Sequence, residues 1–405
     1  MGQFRASRRP APLQNSPINL MLIWLVVVLC FLTFGSFIGV RVLMSLFALE
    51  LGASQAAVGV LIASFAIFPL FMSVYAGRII DRVGPFWPVL GGMAGFAAGV
   101  LMPWVFPVLP ALYLSALISG LSLVFFGVAT QQLISSIGEA SARSRNVSYY
   151  SIGLAASGLA GPLSVGYIID HHGHRMAYLA LAVVLVLVSA IWFACRRRVP
   201  LAQRKDHTTS VSGITQILRN RDLRLTIIVA GIVVAGVDLY TFYMPIYGHS
   251  IKLSATMIGA VMGAQAIAAL LVRIIMPKLL KRWREEHVMA GALLVAGAGY
   301  FLFPFFQGVT VLFMISFLLG LGLGCGQPLS LLMVYNRAPA GRSGEVLGVR
   351  FTVVNLMHLI IPITFGTLSA MVGLMPVFIA TALLMVVGGY LSRRAGNAKM
   401  RHDVQ

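Results

Sequence analysis

Runs of eighteen or more predominantly apolar residues recur from Asn19 to Leu391. Each is long enough to cross a hydrocarbon core about 30 Å thick. No other feature restricts the fold so strongly. Inside a bilayer every backbone N–H and C=O must be satisfied within the protein, so repeated spans of this length are helices. The short alternating segments of a transmembrane β-barrel are not visible. The runs predict about twelve helices, over 19–49, 55–80, 86–106, 108–135, 146–170, 175–196, 223–250, 254–281, 286–307, 309–335, 343–371 and 374–394. The expected fold class is an all-α polytopic membrane protein. Composition agrees: 59% of the 405 residues are hydrophobic and only 10% are charged, against about 45–50% and about 25% in a soluble domain.

A net charge of +19 would fit a nucleic-acid partner, but its distribution does not. Basic residues gather at alternate helix junctions: Arg5, Arg8 and Arg9; Arg78 and Arg82; Arg143 and Arg145; the stretch from Arg196 to Arg224; Lys278, Lys281, Arg282 and Arg284; Arg337 and Arg342; and Arg393, Arg394, Lys399 and Arg401. The other junctions hold little beyond Arg175 and Lys252. This is the positive-inside pattern. It places both termini in the cytoplasm and makes anionic lipid, not nucleic acid, the partner of the basic residues. The expected location is the inner (cytoplasmic) membrane. The run from Asn19 to about Phe47 is too long for a secretory signal and lacks an A-x-A site, so it reads as an uncleaved first helix. Cys30, Cys195 and Cys325 form no CxxC pair or metal spacing and read as small packing residues.

The chain divides into a tail at 1–18, a six-helix bundle at 19–196, a cytoplasmic linker at 197–222, a second bundle at 223–394 and a tail at 395–405. Ile214, Ile217 and Leu218 in the linker suit one short surface helix. A shift of 200 residues aligns Ser54 with Ser254, Gly59 with Gly259, Arg82 with Arg282 and Gly91 with Gly291. It also aligns Gly99 with Gly299, Gly120 with Gly320, Pro162 with Pro362, and Gly166 with Gly366. One offset held across five helices predicts an internal repeat. Two parallel six-helix halves enclose a cavity between their first and fourth helices, as secondary transporters do.

Between the second and third helices stands Gly77-Arg78-Ile79-Ile80-Asp81-Arg82-Val83-Gly84. Gly77 is expected to admit a close neighbouring helix and Gly84 to supply a turn with φ > 0. The segment resembles the major facilitator superfamily pattern G-x-x-x-D-[RK]-x-G-[RK]-[RK], matched at Gly77, Asp81, Arg82 and Gly84, with Pro85 and Phe86 in place of the terminal bases. The resemblance covers nearly the whole chain. It implies the twelve-helix fold of that family and a conformational latch. In the family the acid closes onto the start of a helix in the other half, here the eleventh near Ser343, when the transporter faces outward. The repeat-related hairpin has Lys281 where the acid would stand. The fifth helix carries Gly153, Ser157, Gly161, Pro162 and Gly166, resembling a pattern associated with antiporters of the bacterial drug and metabolite efflux branch. Many proton antiporters of the family have an arginine four residues before the glycine equivalent to Gly120; here it is Ala116, so that relay is not carried over.

Ionisable residues deep in a span are functional candidates, because insertion penalises each by roughly 2.5–3.5 kcal/mol. Arg41 in the first helix and Asp238 in the seventh lie at similar depth and are expected to pair across the cavity. Arg350, with the stripe Phe351, Asn355 and His358, lies on the eleventh helix; Tyr240, Tyr243, Gln265 and Gln327 add hydrogen-bonding groups. Arginines outnumber acids in this interior, which favours an anionic, zwitterionic or amphiphilic solute. Asp238 and then His358 are the expected proton carriers. No Walker loop, catalytic triad or metal-ligand set is present, so neither an enzyme nor a cofactor is expected. The sequence reads as a monomeric secondary transporter that exports a small molecule against protons. Proton-coupled uptake, or a non-transporting sensor on the same fold, is the alternative.

Overall fold

The computed structural model describes residues 17–137, 140–196, 221–338 and 343–402. The surface helix expected at Ile214, Ile217 and Leu218 lies outside the described residues. Eleven of the described helices are apolar and long enough to cross a bilayer. One of them, Tyr149–Ala194, contains Gly173 at φ 80° and ψ 169°. That region is open to glycine almost alone, and the chain turns back there, giving twelve crossings.

In chain order these are α1 (Pro17–Glu50), α2 (Gln55–Val83), α3 (Phe86–Val105), α4 (Leu109–Ser136), α5 (140–172) and α6 (174–194). The second half has α7 (Arg221–Ser250), α8 (Ala255–Arg282), α9 (Glu285–Leu302), α10 (Val309–Arg337), α11 (Ser343–Val372) and α12 (Leu374–His402). Two elements depart from expectation. The tenth helix is interrupted at Gly324–Cys325, where a Cβ on Gly324 would meet the backbone of Ala269 in α8. The last helix continues through the expected tail to His402, since Ala395, Ala398, Lys399, Met400 and Arg401 are mostly strong helix formers.

The 200-residue offset reappears as geometry. Ser54 and Ser254 cap α2 and α8, each accepting from a backbone N–H three residues on, Ala57 and Met257, at 3.2 Å. A Cβ on Gly59 would strike the Pro362 carbonyl oxygen, and one on Gly259 would strike that of Pro162. Gly120 is pressed in the same way against Phe65, and Gly320 against Gln265. Within the first half α6 runs antiparallel to α3, tied by Arg175 to the Trp104 carbonyl at 2.9 Å and by Trp192 to the Phe86 carbonyl at 3.1 Å. In the second half Phe303 and Phe378 stack at 5.0 Å, ringed by Tyr240, Tyr243, Tyr247 and Tyr300. The four hydroxyls donate to the carbonyls of Val261, Phe365, Phe306 and Gly236 respectively.

Candidate functional site: an interhelical charge centre between two gates

The α2–α3 hairpin lies at the end of the bundle rich in arginine, the basic side; the far side is opposite. On the far side the halves meet backbone to backbone. A Cβ on Gly166 of α5 would run into the Ala255 carbonyl of α8, and one on Gly366 of α11 would stand 3.0 Å from the Gly59 Cα of α2. Small residues bring helices this close without a hydrophobic driving force. The α5 motif faces two ways. Gly161 and Ser157 pack on Gly35 of α1, with Ser157 donating to the Leu154 carbonyl at 2.7 Å, while Gly158 and Pro162 pack on Ala266 and Gly259 of α8. Gly153 packs on Val27 of α1.

This contact carries a charged clasp. Asp170, at the end of α5, accepts from the Ala255 N–H at 2.9 Å and from the Thr256 N–H at 2.7 Å. These are the first donors of α8, left without intrahelical partners, at the positive end of its dipole. Sequence reasoning finds the stretch from Gly166 through Asp170 to Gly173 family-like, on the outer side, but assigns Asp170 no role. The signal was present, because Gly166-x-x-x-Asp170-x-x-Gly173 has the spacing of Gly77-x-x-x-Asp81-x-x-Gly84. Gly84, at φ 84° and ψ 167°, also matches the conformation of Gly173.

In the hairpin itself Asp81 Oδ1 accepts from Gln132 Nε2 of α4 at 2.8 Å, within its own half. Arg82 is exposed. The side chains that open α11, at 343–345, lie outside the described ones. The expectation for Gly77 is corrected: a Cβ there meets nothing within 4 Å, because no neighbouring helix approaches that face among the described residues.

At the centre Arg41 Nη1 of α1 lies 3.5 Å from Asp238 Oδ1 of α7, and the other carboxylate oxygen accepts from His358 Nδ1 of α11. Asp238 is 2% exposed. An isolated carboxylate at that burial would be severely penalised, and two donors from two other helices relieve it. Arg41 also lies over the Phe37 ring at 5.9 Å. His358, half-exposed, heads the stripe that runs through half-buried Asn355 to exposed Phe351. At spacings of seven and four residues these share one face of α11, which becomes more exposed toward the basic side.

The remaining candidates divide. Gln327 accepts from Arg350 Nη2 at 3.0 Å, on the basic side of the centre. Gln265 is half-buried on α8, its carbonyl against Gly320. Tyr240 and Tyr243 are buried and give their hydroxyl protons to backbone carbonyls of α8 and α11, which makes them interhelix ties and not cavity groups.

Residues 24–362 match the family model described as Major Facilitator Superfamily. The chain belongs to the major facilitator superfamily. It is 21% identical over 365 residues to Multidrug resistance protein 2 of Bacillus subtilis (strain 168), covering 88% of this chain and 91% of that one. It is 24% identical over 390 residues to Multidrug resistance protein MdtG of Escherichia fergusonii, covering 91% and 92%. Among solved structures, a bacterial homologue of the human lysosomal transporter Spinster, inward-facing and unoccupied, gives a TM-score of 0.81 at 13% identity, covering 96% of this chain and 99% of that one. That likeness shows the twelve-helix facilitator fold. The protein is therefore a multi-pass membrane transporter of this superfamily.

Proposed function

We propose that this transporter exports a small organic anion, zwitterion or amphiphilic metabolite or drug in exchange for protons. The observation that carries the reading is the Asp238 carboxylate, held at once by Arg41 from the first half and His358 from its own. A proton taken up there cancels the charge that attracts Arg41 and loosens the tie between α1 and α7. Release of the proton restores it. A ligand or proton shifts an alternating-access equilibrium only through differential affinity for the two states, and a carboxylate shared between the halves supplies that difference. The names of the two relatives, both multidrug resistance proteins, favour export over uptake.

By the positive-inside rule the basic side is cytoplasmic, so the protein sits in the cytoplasmic membrane with both termini inside. With the far side clasped, we read this state as inward-facing and the transporter as a monomer. Asp81, resting on Gln132, is the acid that closes onto the start of α11 when the far side opens. The test uses everted membrane vesicles energised to make their interior acidic, with acridine orange reporting the gradient and a panel of organic anions and drugs as solutes. A transported solute collapses the gradient in vesicles with the wild-type protein and not with Asp238→Asn. Solute movement that ignores the proton gradient, or that survives unchanged in Asp238→Asn, refutes proton coupling through this centre.

A further inference from the structure

The inward-pointing arginines are not treated alike. Arg41 has Asp238, and Arg337 Nη2 lies 2.6 Å from Glu286 Oε1. Arg350 of α11 is 4% exposed and has no carboxylate partner among the described residues. Its Nη2 donates to Gln327 Oε1 at 3.0 Å and to Ser330 Oγ at 2.8 Å, while its Nε is buried with no acceptor. Both acceptors are neutral, so they orient the guanidinium without cancelling its charge. One turn toward the far side Arg273 of α8, also without a carboxylate partner among the described residues, donates its Nε to the Gly324 carbonyl at 2.9 Å. Gly324 and Gln327 lie three residues apart on α10. The interruption of α10 therefore brings two uncompensated arginines to one stretch of helix.

A desolvated cation without a counter-charge is costly. Arg41 and Arg337 have acidic partners although the chain has only 11 acids. The missing anion is therefore read as a ligand. Phe351, whose ring lies 5.7 Å from the Arg350 guanidinium carbon, is exposed on the face of α11 that carries His358, so the pair lies beside the exposed part of that face. We propose that Arg350, oriented by Gln327 and Ser330 and supported by Arg273, forms an anion subsite that receives the carboxylate or comparable oxyanion of the transported solute. Guanidinium is matched to such groups by its planar, forked donors. The inference rests on the transport reading above and assigns the solute's charged end to the second half.

The test is thermal unfolding of the purified full-length protein in detergent at constant ionic strength. The probes are benzoate, benzylammonium and benzyl alcohol, one size with three charges. Benzoate alone is expected to raise the midpoint saturably. Its apparent affinity should fall at least tenfold in Arg350→Gln and in Gln327→Leu, and stay unchanged in Arg175→Gln on the far side. Gln327→Leu keeps the charge and removes only its orienting acceptor, so a misfolded Arg350→Gln leaves the test intact. No saturable benzoate effect in the wild type, or an equal effect in Gln327→Leu, overturns the proposal. A midpoint raised by phosphatidylglycerol and not by benzoate assigns the site to a lipid headgroup and also overturns it. The readout needs no gradient, so its failure leaves the transport reading standing, and benzoate binding by a protein that moves nothing refutes only the latter.

Discussion

Replacing Asp170 by Asn removes the negative charge from the clasp at the start of α8 and leaves one acceptor oxygen for the N–H groups of Ala255 and Thr256. A hydrogen bond to a charged group contributes about 1.5–3 kcal/mol, and a charge at a helix N-terminus about 0.3–1 kcal/mol. Asp170 is exposed, so solvent screening places the effect at the lower end. A loss of about 1.5–2 kcal/mol follows, a shift of roughly 10- to 30-fold in the ratio of closed to open far side. Val105 and Phe305 are suited to reporting it, because they are exposed at repeat-related positions on that side, one in each half. Spin labels there, in a background lacking Cys30, Cys195 and Cys325, are expected to give a longer-distance population that grows in Asp170→Asn. Superimposable distance distributions in the two proteins would refute the clasp.

Gly259→Leu sets a side chain against the Pro162 carbonyl and should prevent far-side closure, read as the same labels locked at long distance. Gly77→Ala, where the space is open, should leave those distances unchanged and match or exceed wild-type thermal stability, by about 0.5–1 kcal/mol for a glycine removed from a helix. Gly173→Ala forces an L-residue into a glycine-only conformation and should cost about 1–3 kcal/mol, seen as a lowered unfolding midpoint.

The architecture was legible because lipid leaves a helix so few alternatives. Spans from Asn19 to Leu391 report their own lengths, and the break between the fifth and sixth falls at Gly173, inside the gap expected between 170 and 175. The repeat was legible for a related reason: Gly59 and Gly259 are fixed by contact with the carbonyls of Pro362 and Pro162, and contacts that no side chain can enter hold their residue type. Pairing Arg41 with Asp238 followed from the cost of two buried charges at one depth. The place of His358 on the same carboxylate did not follow, since nothing local fixes which of several helices a histidine meets. Gly77 misled because a glycine in a membrane helix permits close approach without requiring it. Tyr240 and Tyr243 misled because a buried hydroxyl is satisfied as well by a backbone carbonyl as by a solute. The interruption of α10 has its signal in Pro328, which has no N–H to give the Gly324 carbonyl four residues back, and it falls where Gly324 lets α8 and α10 touch.

The ring of tyrosines around Phe303 and Phe378 has a mechanical consequence. Each hydroxyl ends on a carbonyl of another helix or connection, at Val261, Phe365, Phe306 and Gly236, so α7, α8, α9 and α11 are stitched together at the far end of the second half, with α12 packed on them through Phe378. A block fastened this way transmits force without absorbing it. In the alternating access proposed above, the far end of the second half is expected to move as a stiff lever arm, with bending concentrated at the interrupted α10 beside the arginines. The stroke would then be delivered to the place where we locate the solute's charge.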